Sequence, residues 1–186
     1  MKRRWFLLLP VMLLLDGLLV YWWWHQEREH RFDGVILAAA DRYGVDPALI
    51  KAVVWRESRF SPKARGKAGE IGLMQIRSLA AGEWAQAENL WWFRAGELYD
   101  PAVNTRAGTW YLSRLLKRYA QTDDPLPYAL ADYNAGRSNV LRWNRGAAKT
   151  NSAAFVKQID FPGTRDYVIS VMRRMAYYRS RFPDWK

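Results

Sequence analysis

The sequence predicts an all-α domain behind a separate apolar helix at its amino-terminal end, and three observations carry that expectation. No segment alternates apolar and polar residues with a period of two, so no half-buried strand is written along the chain. Aspartate followed by proline occurs at Asp46-Pro47, Asp100-Pro101 and Asp124-Pro125. An aspartate cap with proline at the first helical position is a helix start. Beyond those starts, apolar residues recur at spacings of three and four, the stripe of a helix packed on a core.

Taken in order, the first element is Trp5 to Trp24, an apolar run of 20 residues interrupted by Asp16 and Gly17. About 20 such residues span the hydrocarbon core as a helix. Lys2, Arg3 and Arg4 precede it, and the positive-inside rule keeps that end cytoplasmic, which puts residues 25–186 on the outer side. Tyr21, Trp22, Trp23 and Trp24 form an aromatic belt where the helix would leave the bilayer. A cleavable leader needs small residues at its cleavage site, and this run ends Val-Tyr-Trp-Trp-Trp-His. Residues 1–24 are therefore expected to persist as an uncleaved anchor, although Arg3-Arg4 also matches the start of a twin-arginine signal. Asp16 costs roughly 2.5–3.5 kcal/mol in mid-span on insertion scales.

Residues 25–32 read as a polar linker, and 33–186 as the globular domain. Asp33 opens a helix through Val35, Ile36, Ala39 and Ala40 that stops near Gly44. The helix begun at Asp46-Pro47 carries Ile50, Val53 and Val54 and must end before Ser61-Pro62. Gly66 to Gly72 is a glycine-rich loop, with another helix from about Arg77. Trp84 to Tyr99 reads as aromatic and irregular. Asp100-Pro101 opens a long helix striped with Leu112, Leu115, Leu116 and Tyr119; Asp124-Pro125 opens another that ends near Gly136. Residues 138–144 make a short helix, and a last one runs from about Thr164 to Arg181 with Tyr167, Val168, Val171, Met172 and Met175 on one face.

The formal charge is +11. Residues 1–24 hold three of the cations (Lys2, Arg3, Arg4) and one acid (Asp16), so the remainder still carries +9. A basic surface of that size implies an anionic partner: nucleic acid, anionic lipid or an acidic polymer. No nucleic-acid recognition motif accompanies the charge, so that partner is not expected. The absence of cysteine excludes disulfides, thiol nucleophiles and cysteine zinc sites. His25 and His30, the two histidines, both fall in the linker, and there is no phosphate-binding loop; no metal or cofactor is expected.

Glu57 is the residue out of place. It follows Ile50 by seven residues and Val53 and Val54 by four and three, so it lies on the apolar stripe of its helix. It also stands in the last turn, where the negative end of the helix dipole opposes a carboxylate. Burial acts in the same direction, and both raise a carboxyl pKa, which suits a general acid. The bland alternative pairs the carboxylate with Arg56 or Arg59.

Three motifs choose between these readings. Glu57-Ser58, then Gly72-Leu73-Met74-Gln75-Ile76, then Ala131-Asp132-Tyr133-Asn134-Ala135-Gly136 resemble the family 1 lytic transglycosylases, whose domain is lysozyme-like and related to goose-type lysozyme. Asp100-Pro101, Asn104, Gly108, Tyr111-Leu112 and Leu115-Leu116 fit the same pattern, and the resemblance covers roughly 33–180. It implies a peptidoglycan glycan strand as substrate and Glu57 as the catalytic residue. It implies Ser58, Met74, Gln75, Tyr133, Asn134 and Tyr167 as substrate-binding. The lesser alternatives are core for Met74 and Tyr167, and a polar residue at a helix end for Asn134. The implied chemistry is cleavage between N-acetylmuramic acid and N-acetylglucosamine without water, to give 1,6-anhydro ends, with one carboxyl as acid and then base. The implied setting is the bacterial inner membrane with the domain in the periplasm.

One position departs from the pattern: Gly163 stands where the family often has glutamate, and Asp160 is the nearby candidate substitute. Glu70, in the glycine-rich loop, could approach Glu57, but it reads rather as a surface charge. Trp84, Trp91, Trp92 and Trp143 are candidates for stacking on sugar faces or for core packing.

Overall fold

The computed structural model describes residues 5–182, with side chains throughout except at 5–9 and 22–26. The Lys2-Arg3-Arg4 start and the side chains of Trp22, Trp23 and Trp24 lie outside the described residues. The chain divides into two compact units, 1–33 and 34–186.

The first unit is one helix, α1 (Trp5–His30, 26 residues). Residues 25–30, expected as linker, continue it: nothing between 18 and 33 is glycine or proline, and Arg28 and His30 suit a helix carboxyl end. Among the described residues no helix is long and apolar enough to cross a membrane. Within the apolar run the described side chains are those of residues 10–21.

α2 (Asp33–Tyr43) begins at the boundary, and the rest of the second unit is helical. Its centre is α3 (Pro47–Ser58), started by Asp46, whose Oδ1 accepts the Ala48 amide at 2.8 Å. Every residue from Pro47 to Val54 is buried. A helix buried on all sides, here with Lys51 as the one charged residue of the eight, belongs inside a domain. Each fully buried Leu, Ile or Val there contributes about 1.5–3 kcal/mol. α3 packs along α9 (Pro162–Arg179), whose Tyr167, Val168, Val171, Met175 and Tyr178 are buried. α6 (Pro125–Ala135) packs on both α9 and α5 (Pro101–Arg118), and α4 (Ser78–Ala87) leans on α5. Asp100 and Asp124 cap α5 and α6 as their sequences predict.

Three stretches differ from expectation. Trp84 is not in an irregular segment: α4 runs on to Ala87, because its alanines favour helix and Trp84 is buried with its indole N–H donating to Tyr43 Oη at 2.9 Å. The irregular part is 88–94, followed by a 3₁₀ turn at Ala95–Tyr99. After α7 (Arg137–Trp143), a 3₁₀ turn (Gly146–Lys149) and α8 (Ser152–Gln158) were not foreseen. α8 is seven residues long, too short for a visible stripe, and is held by the Asn151 cap and by Phe155 stacked 4.0 Å from Tyr128. Among the described residues there are no strands, only isolated bridges Arg65–Ile71 and Ile71–Ile76 in the glycine-rich loop.

Candidate active site

The end of α3 sets the first wall. Arg59 and Phe60 both take left-handed backbone angles, φ 51° and 61°. Such angles cost a non-glycine residue roughly 1–3 kcal/mol. Burial of the Phe60 side chain and the bond from Arg59 N to Trp55 O offset that cost. The helix therefore stops at Ser58, one residue after Glu57, and the carboxyl stands in its last turn.

The second wall is the loop from 61 to 77, fixed from behind by Asn104 of α5. Its Oδ1 accepts the Met74 amide, and its Nδ2 donates to the carbonyls of Ile71 and Leu98, all at 2.8 Å. The loop lies so close that a Cβ on Gly72, at φ 77°, would stand 2.3 Å from Asn104 Nδ2. Gly108 leaves the space that the Met74 side chain fills. The third wall is the end of α6. Tyr133 donates to the Met74 carbonyl at 2.7 Å and leans on the Tyr111 ring, tying α6 to the loop.

Between these walls lies a cleft of about 450 Å³. Glu57 lines it from α3, Glu70, Gln75, Ile76 and Arg77 from the loop, Ala80 from α4, Tyr111 from α5, residues 132–135 from α6 and Gly136 from just beyond it. Tyr167 Oη donates to Glu57 Oε1 at 2.7 Å. Burial pushes the Glu57 carboxyl from its usual 4.5 up to about 7. The Tyr167 hydrogen bond and the Arg56 charge act against that rise, and the Glu70 charge adds to it. Tyr167 and Tyr133 are themselves driven well above the ordinary phenol value, first by burial and then by Glu57. Both therefore remain O–H donors at neutral pH.

The bland pairing for Glu57 does not form. The Arg56 guanidinium reaches Asp166 Oδ2 at 3.2 Å and Ser170 Oγ at 3.1 Å, while that of Arg59 lies 3.7 Å from the centre of the Trp55 ring. Of the residues named from sequence, Glu57, Gln75, Tyr133 and Asn134 line the cleft. Tyr167 stands behind Glu57, and the Met74 side chain is fully buried while its carbonyl holds Tyr133. The Ser58 hydroxyl donates to Val54 O. Gln75 keeps its place with φ 50° and side-chain bonds to the carbonyls of Ala64 and Gly72.

Other expectations change. Glu70 is not a loop surface charge: it faces the cleft, with Oε1 bound to Nε and Nη2 of Arg77 at 2.9 and 2.7 Å and Oε2 to the Ala68 amide. Arg77 holds its carboxyl below the usual range. Arg77 was missed as a cleft residue, and the approach of Glu70 to Glu57 was the less favoured of its two readings, because both depend on the fold of a loop that carries no periodicity. Asp160 does not replace the missing glutamate; it bonds Arg142 and the Trp143 indole away from the cleft. A side chain at Gly163 would meet open space, and the neighbouring Thr164 donates to Asn134 Oδ1 at 2.8 Å. None of the four tryptophans lines the cleft: Trp84 and Trp143 are core, and Trp91 and Trp92 are 78% and 69% exposed elsewhere.

Fold and site together define an all-helical domain whose cleft holds one carboxylic acid poised for proton transfer near neutrality. The chain belongs to the Transglycosylase SLT domain family, whose model matches residues 34–156. It is 35% identical over 137 residues to the soluble lytic murein transglycosylase of Salmonella typhimurium strain LT2, covering 73% of this chain and 21% of that one. It is 37% identical over 113 residues to the membrane-bound lytic murein transglycosylase F of Desulfosudis oleivorans, covering 59% and 23%. In structure it resembles an inactive glutamate-to-glutamine mutant of the lytic transglycosylase Slt from Pseudomonas aeruginosa, with TM-score 0.74 and 26% identity over 82% of this chain and 24% of that one. The chain thus spans about a fifth to a quarter of the length of these relatives.

Proposed function

We propose that this chain is a peptidoglycan lytic transglycosylase that breaks the β-1,4 bond between N-acetylmuramic acid and N-acetylglucosamine without water. The observation that carries the reading is the buried Glu57 carboxyl at the end of α3, bound by Tyr167 in a cleft of the SLT domain and pushed up to about 7 by burial. The Pseudomonas relative, inactive with a glutamine in place of a glutamate, is in keeping with a single essential acid.

Glu57 gives its proton to the bridging oxygen as the bond from muramic C1 breaks. The substrate's 2-acetamido group shares the positive charge that develops on C1, the alternative to a second protein carboxylate. Glu57, now ionised, takes the proton of the muramic 6-hydroxyl while that oxygen bonds to C1. The 1,6-anhydro ring closes, the proton is back on Glu57, and no water is consumed. Tyr167 holds Oε1 and leaves the other carboxyl oxygen for the transfer. Gln75, Tyr133 and Asn134 contact the glycan, with Met74, Ser58 and Tyr167 supporting them. Mass spectrometry of muropeptides released from purified sacculi tests this. Anhydro ends are expected, and reducing ends alone would make the enzyme a hydrolase.

Residues 1–24 serve as an anchor in the bacterial inner membrane, with 33–186 as the catalytic domain in the periplasm. The 20-residue apolar run and its basic start support this, as does the similarity to the membrane-bound transglycosylase of Desulfosudis. A reporter fused after Lys186 should be active only outside the cytoplasm. Release of the protein from membranes by salt alone would count against the anchor.

A further inference from the structure

The loop wall of the cleft contains a built charge pair that the catalytic scheme leaves unused. Glu70 sits over Gly66, where a Cβ would stand 2.2 Å from Glu70 Oε2, so the loop keeps a glycine where the carboxyl needs the room. That carboxyl is bound by the Ala68 amide on one oxygen and by two nitrogens of Arg77 on the other. The two bonds to one oxygen fix the plane of the guanidinium. Nη1 of Arg77 carries no hydrogen bond among the described residues, and the side chain is 62% exposed. Arg77 is also the one cation among the described residues that line the cleft, where Glu57, Glu70 and Asp132 are acids. An anionic strand entering beside those acids meets a single group able to receive its charge.

We propose that Arg77, oriented by Glu70, is a specificity-determining residue that binds a carboxylate of the glycan strand beside the cleaved bond. The planar fork suits this: guanidinium recognises carboxylate with directed N–H donors. The carboxylate has two sources on such a strand, the lactyl group of a bare muramic residue or the peptide stem. This inference rests on the activity proposed above.

The test uses the full chain and three substrates: bare strands with free lactyl carboxylates, stem-bearing strands, and stem-bearing strands whose carboxylates have been converted to amides. KM and kcat are read from anhydro products, and Kd is measured on the Glu57→Gln form, which reports binding without turnover. The unsubstituted enzyme should prefer one charged strand over the amidated one by about tenfold in KM and in Kd, as one charge-assisted contact gives. Whichever charged strand shows the preference identifies the source. Arg77→Gln should bring the ratio near one, Arg77→Lys should keep part of it, and Glu70→Gln should weaken it by loosening the guanidinium. A ratio near one in the unsubstituted protein, or an equal loss on charged and amidated strands with Arg77→Gln, would overturn the proposal. Absence of anhydro product from every substrate would instead overturn the proposed activity, and the Kd ratios would still decide the role of Arg77.

Discussion

The end of α3 and the loop that follows it each bring a glutamate to the same cleft, and they treat it in opposite ways. Glu57 is packed by a buried helix and offered one neutral donor, Tyr167, so it holds its proton. Glu70 lies on a loop with an arginine fork and a backbone amide, so it stays ionised. Environments that push two carboxyls apart in this way assign their roles: the proton carrier is Glu57, and Glu70 is a fixed charge that orients Arg77.

The comparison breaks most completely at Glu57. Glu57→Gln should cut anhydro product by at least about a thousandfold, because both protonation and ring closure use the same group. Its effect on stability has the other sign. The folded carboxyl binds its proton more tightly than the unfolded one, so ionisation costs stability as pH rises from about 4.5 to about 7. Thermal melts at pH 8 should show the Gln form level with or above the parent, and at pH 4 the gain should vanish. A lower Tm at pH 8 would mean that the folded state favours the ionised carboxylate.

The support of the loop wall comes next. Asn104→Ala strips three buried hydrogen bonds and should cost about 2–4 kcal/mol in denaturant unfolding. A loss well below 1 kcal/mol would show that the loop holds its place without α5.

Smaller effects sharpen the contrast. Glu70→Gln should keep most of the anhydro product at neutral pH, yet move the alkaline limb of the rate profile to lower pH, because a like charge near Glu57 is gone. Near-total loss at every pH would give Glu70 a share in proton transfer. Smallest of all, Trp91→Ala should change stability by no more than about 0.5 kcal/mol, since the ring is exposed.

Local chemistry was legible along the chain and long-range chemistry was not. Asp46, Asp100 and Asp124 cap helices because cap and proline act within three residues. Glu57 stood out because a carboxylate on an apolar stripe conflicts with its neighbours whatever the tertiary fold. The position of Glu70 depends on the room at Gly66 and the reach of Arg77, which no periodicity encodes. Asn104 fitted the motif pattern, but two of its three partners, Ile71 and Met74, lie in a loop about thirty residues away in sequence and only Leu98 is near it. Trp84 misled for a related reason, since its burial against Tyr43 and Phe93, which no spacing along the chain encodes, secures the helix that its neighbouring alanines favour.

The most direct test of the account is the titration of Glu57 itself, by carbon-13 NMR of the glutamate carboxyls, with the signal assigned by its loss in Glu57→Gln. One carboxyl should titrate near pH 7 and disappear in that variant, while the Glu70 signal titrates below the ordinary glutamate range. A Glu57 carboxyl titrating near 4.5 would leave it ionised at neutral pH and contradict its role as the acid.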